Sequence, residues 1–126
     1  MAFSDGATDE DLSMADWSDA DCTDAVFTNC TIQGAQFSGT VLEGSKFKGC
    51  RILGSRFASA NLRDAHFDAC VFAHGQHGPT FARCGLDEVR FVRCDLSFAR
   101  FERSSLYGAQ FETCNLRGAA FVGADF

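Results

Sequence analysis

The sequence has very little proline, tyrosine or tryptophan, and it lacks long apolar runs. Each of these three residue types occurs once in 126 residues. No stretch approaches the roughly 18 consecutive apolar residues of a membrane-spanning helix. Residues 1–11 are acidic and polar, whereas a secretory signal peptide needs a basic region followed by an apolar run. We therefore expect one cytoplasmic domain without a membrane segment.

The sequence also lacks the short motifs of common enzyme sites. It contains no nucleophile elbow, phosphate-binding loop, dinucleotide fingerprint or zinc-ligand spacing, so we predict no catalytic site, cofactor or bound metal. His74 and His77 are three residues apart and, with His66, are candidate metal ligands, but no fourth Cys, Asp or Glu follows at a matching spacing. The preferred interpretation is that His74 and His77 are solvated.

Phenylalanine, by contrast, occurs 14 times and recurs with a period of five residues. From Leu12 every fifth residue is apolar as far as Phe72, and the pattern resumes at Phe81 and continues to Phe126. We call these the central positions. The residue two places earlier, at the small position, is Ala, Cys, Ser or Thr in nearly every unit; the exceptions are Glu10, Pro79 and Val89. This period fits neither a helix nor a flat strand, so the backbone must turn a corner in every unit.

These units resemble the pentapeptide-repeat family, whose motif is a small residue, a polar residue, a central Leu or Phe and two variable residues. Clear copies are ANLRD at 60–64, CDLSF at 94–98 and CNLRG at 114–118. The resemblance implies an all-β fold, a right-handed quadrilateral β-helix with four pentapeptides in each coil. Nearly six coils would then occupy residues 12–126, after an acidic cap or irregular segment at residues 1–11.

A coil of 20 residues would stack central residues into columns and would explain the break in the pattern. Two columns are then almost purely aromatic: Trp17, Phe37 and Phe57, and Phe27, Phe47 and Phe67. The step from Phe72 to Phe81 is nine residues instead of five. An outward loop within residues 73–80 keeps every column in phase, whereas a one-residue deletion would place Phe81 on Leu62. The pattern favours the loop.

Six of the seven cysteines occupy small positions, and Cys22 occupies a central one. Side chains stacked on adjacent parallel strands are about 4.8 Å apart. The Cβ atoms of a disulfide are closer, at roughly 3.5–4.5 Å. Buried free thiols are therefore predicted, and they suit a reducing cytoplasm.

The net charge of −6 is distributed unevenly around the predicted solenoid. The side that carries Leu42 and Leu62 has seven acidic residues and one base, Arg63. We call it the acidic face; its acids are Asp21, Asp24, Glu43, Asp64, Asp87, Glu88 and Asp125. The neighbouring sides carry most of the Lys and Arg residues. Solvation alone and partner binding both explain an acidic side, and both remain open.

The alternation of Phe and Leu, the Cys in small positions and the loop resemble the Qnr-type quinolone-resistance branch of the family. That resemblance implies a rod that imitates DNA and binds DNA gyrase or topoisomerase IV without binding nucleic acid. It also implies an interaction loop, here His74, Gly75, Gln76, His77, Gly78 and Pro79. The DNA mimic is one of two hypotheses, and the other is a non-catalytic protein-interaction solenoid with an unknown partner. The latter is preferred because most members of this large family have no known partner.

The final coil presents a further candidate surface. An uncovered solenoid end exposes strand edges and apolar core together. Two explanations fit: this end is buried against a second copy, or the chain is the front part of a longer protein. We favour a two-fold, end-to-end homodimer through this coil, as the resemblance also implies. The contact should centre on Leu106, Phe111, Leu116, Phe121 and Phe126.

Overall fold

The structure, a computed structural model that describes residues 4–126, is a parallel β-solenoid. Six short strands stack in sequence order in one sheet: β1 (Gly6–Thr8), β2 (Val26–Thr28), β3 (Lys46–Lys48), β4 (His66–Asp68), β5 (Arg90–Val92) and β6 (Gln110–Glu112). Every neighbouring pair is parallel, so each turn of the chain returns to the same side in the same direction. Strand pairing begins at Gly6, inside the segment that was expected to be a cap or irregular.

Isolated parallel bridges form three further ladders around the solenoid. Their first rungs join Asp11 to Thr31, Asp16 to Gln36 and Asp21 to Val41. With the sheet, they make four ladders, one for each pentapeptide of a coil. The predicted right-handed quadrilateral β-helix is confirmed. Residues 4–126 contain no helix long and apolar enough to span a membrane.

The loop preserves the phase of the coils, as the spacing predicted. On one side Phe67 of β4 pairs with Phe91 of β5. The coil that joins them is four residues longer than a regular coil. On another side the rings of Phe57 and Phe81 stack with their centroids 4.9 Å apart. Phe81 therefore continues the Trp17 column, and the one-residue deletion is excluded.

The core consists of two opposite aromatic columns that meet in the interior. Within a column the rings stack in parallel, as in Phe37 and Phe57, whose centroids are 4.7 Å apart. Between the columns the rings meet edge to face: those of Phe37 and Phe47 are 6.4 Å apart at 84°. Both geometries are favourable for aromatic pairs. Leu and Ile fill most central positions on the other two sides, where a second pair of full ring columns would not fit.

Side chains at the small positions also donate hydrogen bonds to the preceding coil. The Thr40 hydroxyl donates to the Trp17 carbonyl at 2.7 Å, and the Cys50 thiol donates to the Phe27 carbonyl at 3.4 Å. A buried carbonyl without a partner would be costly. This explains why Cys, Ser and Thr share the small positions with Ala. All seven cysteines are free thiols.

The residue two places after a central position forms the corner and adopts a positive φ in nearly every pentapeptide. Asp, Asn and Gly tolerate this conformation, but Phe98 (φ 61°) and Arg103 (φ 56°) adopt it too. Each of these two residues donates its backbone N–H to the next coil, Phe98 to the Arg117 carbonyl at 2.7 Å. The hydrogen bonds between stacked coils therefore hold Phe98 and Arg103 in a left-handed conformation that these residue types do not favour.

Candidate interaction surfaces

The acidic face keeps most of its negative charge uncompensated. Five of its seven acids are exposed, and Glu43 and Asp87 are half-buried. The only ion pair on this face among residues 4–126 joins Arg63 Nε to Asp64 Oδ2 at 3.9 Å, and both side chains are exposed. Such a pair contributes little. The other three ion pairs in the described part of the chain lie on different sides of the solenoid.

Hydrogen bonds position two carboxylates of the acidic face. Asp21 Oδ1 accepts from the Thr23 hydroxyl at 2.6 Å and from the Thr23 backbone N–H at 3.1 Å. These bonds, the side-chain bond foremost, lower the pKa of Asp21 because they favour the charged form. Asp87 Oδ1 accepts from the Ser105 hydroxyl and from the Tyr107 N–H. The face therefore presents carboxylates that hydrogen bonds hold in fixed orientations.

The predicted interaction loop is a small hairpin. The His74 N–H donates to the His77 carbonyl at 2.8 Å, and the His77 N–H donates to the His74 carbonyl at 3.0 Å. Residues 74–77 are exposed, whereas Pro79 is buried at a small position and follows a trans peptide bond. A Cβ on Gly78 would lie 2.3 Å from the Phe98 carbonyl carbon, so the loop needs glycine where it rejoins the solenoid.

The three histidines do not come together as a metal site in the described structure. His66 lies on β4, paired with Lys46 and Arg90 on the adjacent strands, and its pKa is lowered by burial and then by Arg90. His74 and His77 lie in the loop. Among residues 4–126 no group of three or more His, Cys, Asp or Glu side chains is placed to hold a metal ion.

A cleft of about 370 Å³ lies between the loop and an outward-facing aromatic ring. Its lining includes His77, Thr80, Phe98 and Arg100. The Phe98 ring packs over Gly118, where a Cβ would lie only 2.6 Å from the ring. Sequence reasoning missed Phe98 as a surface residue. The available signal was that this Phe falls at a corner position and not at a central one.

The side that carries the Trp17 column lies between the loop and the acidic face, and it is rich in arginine. We call it the arginine face; its bases are Arg56, Arg83, Arg100 and Arg103, all exposed. Arg100 pairs with Glu102 at 2.5 Å. The guanidinium nitrogens of the other three have no carboxylate oxygen within 4.0 Å among residues 4–126. A cleft of about 500 Å³ runs beside Arg83 and Arg103.

The predicted dimer end becomes progressively more exposed along the last coil. Leu106 is 1% exposed and belongs to the core, whereas Phe126 is 70% exposed. Between them, Phe111, Leu116 and Phe121 are half-buried. The Phe126 ring contacts Phe121 at a centroid distance of 5.5 Å. These residues form an apolar surface at the end of the solenoid.

Comparisons with known proteins agree with this architecture. Residues 20–77 match a family model described as a pentapeptide repeat region, and residues 82–126 match a model of pentapeptide repeats in eight copies. A comparison with curated proteins gives no match.

Several solved structures are similar over almost the whole chain, and two of them illustrate the likeness. One is full-length QnrB1, a plasmid-mediated fluoroquinolone resistance protein, with 27% identity and a TM-score of 0.63 over 96% of this chain and 48% of QnrB1. The chain therefore spans about half the length of QnrB1. The other is HetL, a pentapeptide repeat protein involved in heterocyst differentiation regulation in the cyanobacterium Nostoc sp. strain PCC 7120. It has 14% identity and a TM-score of 0.59, with 95% of this chain and 84% of HetL covered. HetL supports the shared fold.

Proposed function

The chain belongs to the pentapeptide-repeat family, and on that premise we propose that it is a non-catalytic, cytoplasmic protein-interaction solenoid that acts through its outer surface. Stacked rings and small side chains fill the interior, so a partner would meet only the outer faces. The observation that carries the proposal is the segregation of charge. Seven acids and one base lie on the acidic face, beside a face with four arginines. Fixed charge patterns on a rigid rod favour recognition of a complementary protein surface.

A capture experiment with charge variants tests this function. The immobilised protein is incubated with cell extract, and retained proteins are identified by mass spectrometry. The proposal expects at least one partner that is retained by the natural protein and lost when charges on one face are neutralised. If variants of every face retain the same proteins as the natural chain, surface recognition is not its function.

A DNA mimic that binds DNA gyrase or topoisomerase IV is the second candidate. Two observations favour it: the 27% identity to a fluoroquinolone resistance protein over 96% of the chain, and the oriented carboxylates of the acidic face. Such a protein would occupy the positively charged DNA site of the enzyme. It would thereby inhibit supercoiling or reduce fluoroquinolone-induced DNA cleavage.

A gyrase supercoiling assay, with and without a fluoroquinolone, tests this second candidate. The double variant Asp24→Asn with Asp64→Asn removes two charges from the acidic face at corner positions that suit Asn. The matched control, Asp9→Asn with Asp19→Asn, makes the same change at corner positions on two other sides. The effect on gyrase should weaken in the first variant and persist in the control. The absence of any effect on gyrase and topoisomerase IV would rule out this candidate.

An end-to-end homodimer through the last coil is also part of the proposal. Nearly six coils make a rod of about 27 Å. DNA of that length carries roughly 16 phosphate charges. The acidic face carries far fewer charges than this, and a two-fold pair of rods would double the length of the rod while leaving its charge per unit length unchanged. The exposed Phe126 and half-buried Phe121 provide the apolar contact.

A further inference from the structure

We propose that the arginine face, at the edge that borders the acidic face, binds an extended acidic segment of a partner protein. This inference rests on the proposed interaction function and names the chemistry of a partner. It assigns a role to a face distinct from the acidic one. Its basis is the coincidence of unpaired guanidinium groups and a cleft with an apolar floor beside them.

The guanidinium groups of this face are available for a partner. Arg83 and Arg103 stand at the same corner on consecutive coils, and the Arg83 N–H donates to the Glu102 carbonyl of the next coil at 2.9 Å. Neither guanidinium has a carboxylate within 4.0 Å among the described residues. Arg56, on the opposite edge of the face, is likewise unpaired within residues 4–126. Arginine forms bidentate contacts with carboxylates, which a lysine ammonium cannot do.

The cleft beside Arg83 and Arg103 has a largely apolar floor. Ala58, Ala82 and Val122 line it, and Val122 is 74% exposed. Glu102 also lies in this row, but its carboxylate is already paired with Arg100. The floor extends over three coil steps, about 14 Å, which matches an extended peptide of four to five residues. In such a peptide, side chains alternate, so apolar residues would face the floor while acidic residues reach the arginines.

The chemistry of the face favours an acidic peptide over nucleic acid. Proteins that bind single-stranded nucleic acid use aromatic side chains to stack bases. The cleft beside Arg83 and Arg103 is lined by no aromatic residue in the described structure. The net charge of −6 and the neighbouring acidic face would also repel a long polyanion. A short segment with alternating acidic and apolar residues avoids this repulsion and gains contacts with the floor.

The loop borders the same face. Thr80, at the first outer position of the arginine face, follows directly after Pro79, and the cleft lined by His77 and Phe98 also includes Arg100. A peptide that lies along the face would therefore have the loop at one edge and the acidic face at the other. The acidic face would repel acidic residues and restrict the peptide to the arginine face.

Fluorescence anisotropy with a labelled octapeptide of alternating Glu and Val tests the inference. The double variant Arg83→Glu with Arg103→Glu should weaken binding at least about tenfold, which corresponds to the loss of close charge contacts. Glu is tolerated at a corner, as Glu88 shows with a φ of 59°. Arg83→Asn with Arg103→Asn should also weaken binding, and it provides a second variant should the first not fold, as judged by circular dichroism.

The matched control is Lys46→Glu with Lys48→Glu, because these exposed lysines on β3 have no ion pair in residues 4–126 and lie on a different side. It changes the net charge equally and should leave peptide binding within about twofold. The inference is overturned if the natural protein binds the probe no better than an alternating Gln and Val peptide. It is also overturned if the control loses as much affinity, or if single-stranded DNA binds more tightly. If the peptide does not bind while variants of the acidic face still lose a partner or the effect on gyrase, this inference fails and the proposed function stands.

Discussion

Phe47 illustrates what one central residue contributes to the solenoid. It is fully buried, stacks on Phe27 at 4.9 Å and on Phe67 at 4.8 Å, and meets the edge of Phe37. Its neighbours are held by ladder hydrogen bonds on consecutive coils, so they cannot move inward to fill a cavity. Each central side chain is therefore a fixed unit of the core, and its removal leaves a void.

We expect Phe47→Ala to lower the free energy of unfolding by about 3–5 kcal/mol, because the burial of the ring is lost and a cavity is left in its place. Chemical denaturation monitored by circular dichroism measures this. Val26→Ala, at a position that is 43% exposed on β2, is the control and should change the stability far less. A loss below about 1 kcal/mol for Phe47→Ala would show that the column is not tightly packed.

The thiols provide a second prediction at the same scale. Burial raises the pKa of the Cys84 thiol to about 12, so very little reactive thiolate exists at pH 8. Six of the seven thiols are buried, which keeps the reagent away from them. Dithionitrobenzoate should react slowly with the native protein, except at the half-buried Cys114, and should label all seven cysteines after unfolding in guanidinium. Rapid labelling of Cys30, Cys50 or Cys70 in the folded protein would contradict their inward position.

At the scale of the coil, the corner and the loop decide what sequence changes are tolerated. The corner demands a left-handed backbone, and the loop adds four residues without changing the columns. Without residues 74–77, Ala73 would join Gly78, and the step from Phe72 to Phe81 would return to five residues. Gly78 would then occupy a corner position, for which glycine is suited.

We expect deletion of His74–His77 to preserve the fold and to change the melting temperature only slightly, as measured by thermal unfolding. Deletion of residues 75–77 alone is the matched control, since it leaves one extra residue that must bulge from the coil and should reduce stability more. The complete deletion would also test the interaction loop, because a folded variant that no longer affects a topoisomerase would assign the activity to the loop. Unfolding of the four-residue deletion would show that the loop is needed for folding.

The corner gives an independent prediction. Ala69 is exposed and has a φ of 54°, so Ala69→Gly should relieve strain and raise stability by up to about 1 kcal/mol. Ala65→Gly, at the buried small position of the same pentapeptide, should lower stability by roughly 0.5–1 kcal/mol. Chemical denaturation of the two variants would show opposite signs. Equal destabilisation of both would contradict the role given to the corner.

At the scale of the whole molecule, the solenoid is a rod with differently charged faces and an apolar end. The faces are independent of the core, because outward residues can change without altering the stacked columns. The end is different, since its exposed residues belong to the columns themselves. Association through it would continue the core across two chains.

We expect the natural protein to sediment as a dimer at high micromolar concentration. Phe121→Asp with Phe126→Asp should produce monomers, because a buried pair of charges would be too costly at an apolar contact. Tyr107→Asp, at a residue that is 70% exposed on the acidic face, is the control and should remain dimeric. A natural protein that sediments as a stable monomer would refute the dimer, and the doubled rod with it.

The sequence by itself determined the period of five, the stacked columns and the phase across the loop. These features were predictable because each pentapeptide repeats one backbone path, so Phe47 and Phe67 must point inward at the same place on consecutive coils. The acidic face followed from the same spacing. The tertiary structure decided where side chains meet. It alone showed the packing of the Phe98 ring over Gly118 and the positive φ of Arg103. The reason is that ladder hydrogen bonds between coils override local backbone preference, and that outward side chains are placed by neighbours 20 residues away.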